Sequence, residues 1–333
     1  MKQNKAEKLL AGVLSISLAM GVSVMPAFAA SGETYADMDS VVIKKNYELA
    51  NEGTFSPAET FSFDIEADNV TDASDDIKAG DYMPTVGDVT YAQGEAGSAS
   101  KTKKIEIKLP EYDSVGVYTY IIHEVAGNSA GVTYYGDAIL LRVTVIEQDG
   151  KLRIAAVHTE DPESTGEGKK DDFDNRYSAG ELKVHKDVEG IMGNKDKYFE
   201  FTVQLTGEEG KTYQDSYAIT GGSYDANPDS IEIKPGETTE ATFYLKDGDT
   251  IHIENLPYGV EYQVSETPVA DYVTTETGTE GEVDEAVEQA SFTNTKGGTV
   301  DAGVALESAP YLFTLTGAAG VGLLLTLRRR HQK

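Results

Sequence analysis

Four short segments recur in the same order in two parts of this chain, and that repetition limits the possible folds more than any other feature. The first copy runs from Lys45 through FSFDI (61–65) and GVYTYIIHE (116–124) to FDN (173–175). The second runs from Lys186 through FEFTV (199–203) and GVEYQVSE (259–266) to FTN (292–294). A repeated order of this kind marks a repeated structural unit. Each segment alternates apolar and polar residues, and turn residues separate them. That pattern predicts an all-β chain of two tandem immunoglobulin-like β-sandwiches. The expected domains are residues 30–178 and 179–298, joined without a long linker between Tyr177 and Gly180.

Successive side chains of a strand face opposite ways, so each segment can be resolved into two faces. In the second copy Leu182, Val184, Lys186 and Val188 share a face, as do Val260, Tyr262, Val264 and Glu266, and Ala290, Phe292 and Asn294. In the first copy Val41, Ile43, Lys45 and Tyr47 align, as do Tyr118, Tyr120, Ile122 and Glu124, and Phe173 and Asn175. Alternation is less clean there, because Val117 and Ile121 fall on the other face. Each domain thus directs one lysine, one glutamate and one asparagine toward its core. An unpaired buried ammonium is costly. A buried salt bridge with a bystander asparagine would accommodate the trio structurally.

A spontaneous Lys–Asn isopeptide bond uses all three residues. Burial disfavours charge, lowering a lysine pKa and raising that of a glutamate. A neutral amine can attack the asparagine carboxamide carbon. A protonated glutamate can polarise the amide oxygen and carry protons to the departing ammonia. Lys45 and Asn175, assisted by Glu124, and Lys186 and Asn294, assisted by Glu266, are the expected pairs. Each reaction happens once per domain, so the chain is expected to modify itself and not to act as an enzyme.

The two ends have their own signatures. Lys2, Lys5 and Lys8 precede a largely apolar run from Leu9 to Val24, and Ala27-Phe28-Ala29 has the form of a secretory cleavage site. Residues 1–29 therefore read as a signal peptide. Tyr311 to Leu327 is apolar apart from three threonines and is followed by Arg328 to Arg330, the pattern of a short membrane anchor with basic residues held inside. An exported body with a terminal anchor implies display on the cell surface.

Composition removes several classes of function. The net charge of −29 excludes nucleic acid as a partner. There is no cysteine and no tryptophan, and the five histidines (His123, His158, His185, His252 and His331) show no metal-ligand spacing. DANPDS (225–230) lacks the glycine of a calcium loop and reads as a turn. No nucleophile-elbow or paired-acid motif stands out, so a secreted hydrolase is not expected, and neither is a cofactor or a metal.

The motifs KKNYEL, GVYTYIIHE, FDN, KDVEG, LPYGVEYQVSE and FTN make residues 40–303 resemble the major (shaft) pilins of Gram-positive bacteria, of the streptococcal type with two isopeptide-containing domains. Carried over by position, the resemblance assigns the same two trios. It implies a cell-wall-anchored pilus in which a sortase cuts a signal ahead of the membrane segment and joins the new carboxyl terminus to a lysine of the next subunit. Residues 299–333 would then hold the sorting signal, membrane segment and basic tail. The matching motif is TVDAG (299–303), with cleavage between Ala302 and Gly303. Aspartate stands there where proline is usual, and alanine where threonine is usual, which leaves open a dedicated sortase or a membrane-retained protein. Lys169 and Lys170 occupy the region of the acceptor lysine. Expected partners are other pilin subunits and a pilus-specific sortase. The alternative is an anchored adhesin that never polymerises.

Overall fold

The computed structural model describes residues 38–97, 101–163 and 168–298. The signal peptide, the TVDAG motif with Ala302 and Gly303, and the membrane segment expected from the sequence lie outside the described residues. Among the described residues the chain is built of strands, with a single 3-10 turn at Ala79–Asp81.

The first half forms two five-stranded sheets. One runs Thr85–Val86, Lys101–Lys108, Ser40–Leu49, Asp172–Tyr177, Val132–Thr133, in spatial order. The other runs Val89–Tyr91, Glu59–Thr71, Gly116–Val125, Ala138–Gln148, Lys151–Glu160. Their facing sides share one apolar core that includes Ile43 and Phe173 from the first sheet and Phe61, Tyr120 and Leu141 from the second. The second half repeats this plan with six strands and four. The larger sheet has the order Ser230–Ile231, Tyr217–Gly221, Thr250–Pro257, Ala179–Glu189, Val287–Thr295, Val273–Thr277. Facing it are Thr238–Leu245, Phe199–Thr206, Glu261–Glu266 and Glu280–Glu282. Val184, Phe201, Phe243 and Phe292 lie in the core between them.

In both halves the lysine-bearing strand opens the unit, and the asparagine-bearing strand closes it. These two strands lie side by side and parallel, in the interior of their sheet. The alternation deduced from the sequence is the burial observed. Val41, Ile43, Lys45 and Tyr47 are buried while Val42, Lys44 and Asn46 are less so. The same pattern holds along Ala179–Glu189.

Only Ser178 separates the last strand of the first half from the first strand of the second. The junction is tied on both flanks. Asn255, whose φ of 59° lies in the left-handed region that asparagine tolerates, accepts the Phe55 N–H at 2.7 Å and donates to the Phe55 carbonyl at 2.9 Å. Asn51 donates to the Ala179 carbonyl at 2.9 Å and to the Tyr258 hydroxyl at 2.8 Å. On the other flank, Ala130 and Thr212 bond backbone to backbone. Gly131 is required there, because its φ is 73° and a side chain would come within 2.5 Å of the Ser178 carbonyl.

Candidate functional site: two buried Lys–Glu–Asn clusters

The parallel pairing fixes a register that is the same in both halves. Lys45 stands opposite Phe173, two residues before Asn175, and Lys186 stands opposite Phe292, two residues before Asn294. Side chains two residues apart on neighbouring parallel strands share a face, so each lysine leans along the sheet toward its asparagine. The glutamate arrives from the opposite sheet. Glu124 sits near the end of Gly116–Val125, and Glu266 ends Glu261–Glu266. Each cluster is thus assembled from three strands far apart in sequence.

In the first half Lys45 is fully buried, Asn175 is 2% exposed and Glu124 is 8% exposed. Lys45 Nζ lies 2.9 Å from Glu124 Oε2 and contacts Asn175 Oδ1. Asn175 Nδ2 donates to Glu124 Oε1, which also accepts the Tyr135 N–H at 3.3 Å. In the second half Lys186 Nζ lies 2.8 Å from Glu266 Oε2, and Asn294 Nδ2 donates to Glu266 Oε1. Asn294 Oδ1 is buried and meets no hydrogen-bond donor among the described residues. Each glutamate therefore has one oxygen on the amine and the other on the amide nitrogen. The sequence predicts a glutamate set against the amide oxygen, whereas in the structure the glutamate spans the lysine nitrogen and the asparagine amide nitrogen.

Burial pushes the Lys45 amine down from its ordinary value to about 8, with Glu124 opposing that shift. Burial also lowers Lys186, again against the pull of Glu266. At pH 7 an amine of pKa about 8 is neutral roughly one time in ten, which is a few hundred times more often than an ordinary lysine. Supply of the nucleophile is then a modest barrier.

The sequence used the F-x-F segments only as markers of the repeat, but the structure gives them a contact role. The first phenylalanine of each roofs the amine: Lys45 Nζ lies 4.1 Å from the Phe61 ring centre and Lys186 Nζ lies 4.6 Å from that of Phe199. The second packs on the phenylalanine that precedes the asparagine. Phe63 and Phe173 have ring centres 5.0 Å apart, and Phe201 and Phe292 are 5.1 Å apart. These rings exclude water from the amine and hold the asparagine strand in register. Their equal spacing in both copies was the one signal that could have pointed to this role.

The Lys45 shift makes stability depend on pH wherever the amine stays free. In an Asn175→Ala variant, the unfolded chain would hold the Lys45 proton up to about pH 10.5, whereas the folded chain releases it near pH 8. The unfolded state binds more protons in that window, so stability rises as pH rises from about 8 to 10. Below pH 8 the full penalty of the buried charge applies. Denaturant melts across this range would read it directly, and a flat profile would mean that Lys45 keeps an ordinary pKa.

The two remaining site lysines are distinguishable. Lys169 pairs with Asp171 at 3.1 Å, with 58% of its side chain exposed. Lys170 is held by Asp172 at 2.8 Å and Asp174 at 3.5 Å, lies 5.0 Å from the Tyr135 ring centre and is 23% exposed. Burial works against its charge, yet Asp172, Tyr135 and Asp174 together raise its pKa above the usual lysine range. Among the described residues there is no cluster of three side chains placed to hold a metal ion, and no helix long and apolar enough to cross a membrane.

Known proteins resemble this chain. Residues 41–178 match the family described as the Spy0128-like isopeptide containing domain, and residues 180–296 match a domain family of unknown function. A pilin of Streptococcus pyogenes serotype M1 is 26% identical over 335 residues, which span 92% of this chain and 96% of that protein. The pilus tip adhesin Cpa of Streptococcus pyogenes is 35% identical over 91 residues, 27% of this chain and 12% of the adhesin. Among solved structures, the major pilin protein (T3.2) of Streptococcus pyogenes serotype GAS13637 is 25% identical, with a TM-score of 0.50 over 78% of this chain and 99% of that one. A second Streptococcus pyogenes major pilin, 24% identical with a TM-score of 0.50, shares the fold. Residues 41–178 thus carry the signature of a Spy0128-like isopeptide containing domain, and the chain along nearly its whole length is similar to the streptococcal pilins.

Proposed function

We propose that this chain is the structural subunit of a cell-surface pilus whose two immunoglobulin-like domains, residues 30–178 and 179–298, each lock themselves with one Lys–Asn isopeptide bond. The observation that carries this reading is that in both clusters the glutamate spans the lysine amine and the asparagine amide nitrogen. The neutral Lys45 amine attacks Asn175 Cγ, and a carbon–nitrogen bond forms. Glu124 Oε2 takes a proton from the attacking nitrogen, and the carboxyl group so formed passes that proton on to Asn175 Nδ2. The Cγ–Nδ2 bond breaks and ammonia leaves. Lys186, Glu266 and Asn294 do the same in the second domain. The core supplies proximity and orientation, so no turnover machinery is needed and the protein is not an enzyme.

The bonds fit a fibre under tension. A pull on the chain would enter near Ser40, cross from Lys45 to Asn175, run eleven residues to Lys186, cross to Asn294 and leave. Residues 46–174 and 187–293 are bypassed. Assembly follows from the ends expected from the sequence: export by residues 1–29, retention by the membrane segment, and transfer by a sortase that cuts between Ala302 and Gly303. Cell-wall anchoring completes the pilus.

Of the two candidate acceptors, the exposure of Lys169 favours it, because Lys170 would have to leave two carboxylates and an aromatic ring before reacting. In cells that make the chain, subunit ladders that survive boiling in detergent are expected. Lys169→Ala should collapse them to monomer, while Lys170→Ala should leave them. Undiminished ladders in the double variant would remove both lysines from the assignment. Complete absence of ladders from the unaltered chain would favour the anchored, non-polymerising adhesin.

A further inference from the structure

Three of the four most exposed large hydrophobic side chains among the described residues gather at one rim of the second domain. Ile191 is 72% exposed, Val273 69% and Met192 58%. Met192 donates its N–H to the Lys296 carbonyl at 3.2 Å, Val273 pairs with Thr295, and Tyr272 beside it accepts the Asn194 N–H at 3.0 Å. A side chain added at Gly298 would run into Met192. The rim therefore surrounds the point where the chain leaves the domain. Exposing this much aliphatic surface together is unfavourable unless something covers it.

We propose that this rim is the docking face for the next copy of the same chain, which presents the acidic flank around Lys169. The inference rests on the pilus reading above and adds a non-covalent contact to it. The tether decides the occupant. Residue 302, whose carboxyl group would join the next subunit, lies four residues past Gly298, a span of at most about 14 Å when fully extended. The lysine of any copy joined there is tethered by that span, plus its own side chain, to Gly298, which lies against Met192. The apolar rim therefore meets its own neighbour before any other macromolecule.

Charge agrees. The rim carries Lys195, Lys197 and Lys296 beside Asp196, Asp247 and Asp271, with Lys195 on Asp247 at 3.0 Å and Lys296 on Asp271 at 3.4 Å. With Glu189, whose carbonyl accepts the Lys296 N–H, the rim carries a charge of only −1 in a chain of net charge −29. The flank around Lys169 carries Asp161, Glu163, Asp171, Asp172 and Asp174 against Lys169 and Lys170, and so remains acidic. A nearly neutral apolar rim is a surface that an acidic flank can approach with little like-charge repulsion. Docking before transfer would also hold the lysine near the carboxyl terminus that the sortase releases.

The test uses the full chain in the cells that make it. The double variant Ile191→Asp, Val273→Asp is expected to yield about tenfold fewer multimers, the equivalent of about 1.4 kcal/mol of lost contact. Its intact mass should still be short by two ammonia molecules, which shows that both cores are native. A photo-reactive residue at position 192 should cross-link to the peptide spanning 161–177 of another copy. Ladders of unaltered length from the double variant, or cross-links to a different protein, overturn the docking face and leave the pilus reading standing. No ladder from the unaltered chain overturns both.

Discussion

Residues 38–298, produced as a soluble protein, are expected to weigh two ammonia molecules less than their sequence predicts. Each bond releases one ammonia, and each glutamate bridges the two nitrogens that exchange at the carbon. Glu124→Ala should restore one ammonia of mass and Glu266→Ala the other, with the effects independent, because the clusters lie in separate cores. Both variants leave a buried lysine without its carboxylate, a loss that costs roughly 3–5 kcal/mol in a buried pair. The missing cross-link adds to this. The closed loops span 130 residues in the first domain and 108 from Lys186 to Asn294 in the second. The chain-entropy treatment of cross-links assigns about 5 kcal/mol to a loop of such length. Melting temperatures should therefore fall steeply in each variant. A full calculated mass in the unaltered protein would mean that both lysines remain salt-bridged amines, and the mechanism would be wrong.

The second large effect is mechanical. When the unaltered protein is pulled from its ends, the segments between the bonded residues should never extend. Glu124→Ala should add one extension step, since 130 residues are freed, and each contributes about 3.5 Å, for roughly 450 Å in all. Glu266→Ala should add a shorter step of roughly 380 Å, and the double variant both. Single-molecule force spectroscopy reads these lengths directly. Steps of the same size in the unaltered protein would show that tension passes through the strand ladders, and the argument for a tension-carrying shaft would fail whatever the mass says.

Much of this was legible in the chain because a strand has a period of two. Placing Lys186 beside Leu182 and Val184 needs only the local pattern, and the same is true of Glu124 beside Ile122 and of Asn294 beside Phe292. The repeat supplied the rest, since one inward lysine is ambiguous and two matched trios are not. The division into two sandwiches followed from the same pattern, as did the short junction, where Ser178 alone intervenes. The F-x-F segments were visible but mute, because nothing local says that Phe61 and Phe199 will lie over an amine.

What the tertiary structure decided is distance and direction across long separations. The parallel pairing that sets Lys45 opposite Phe173 joins residues 128 apart in sequence, and no local pattern encodes that register. The approach of each glutamate from the facing sheet determines that it meets the amide nitrogen as well as the amine. Burial by a neighbouring strand and ring separates Lys170 from Lys169, two adjacent residues that the sequence could not tell apart. The sequence by itself determined which faces the lysine, glutamate and asparagine of each cluster occupy, because side-chain alternation is a local property of the backbone. The fold alone decided which of them touch, because contact between distant strands is set by how two sheets close on one core.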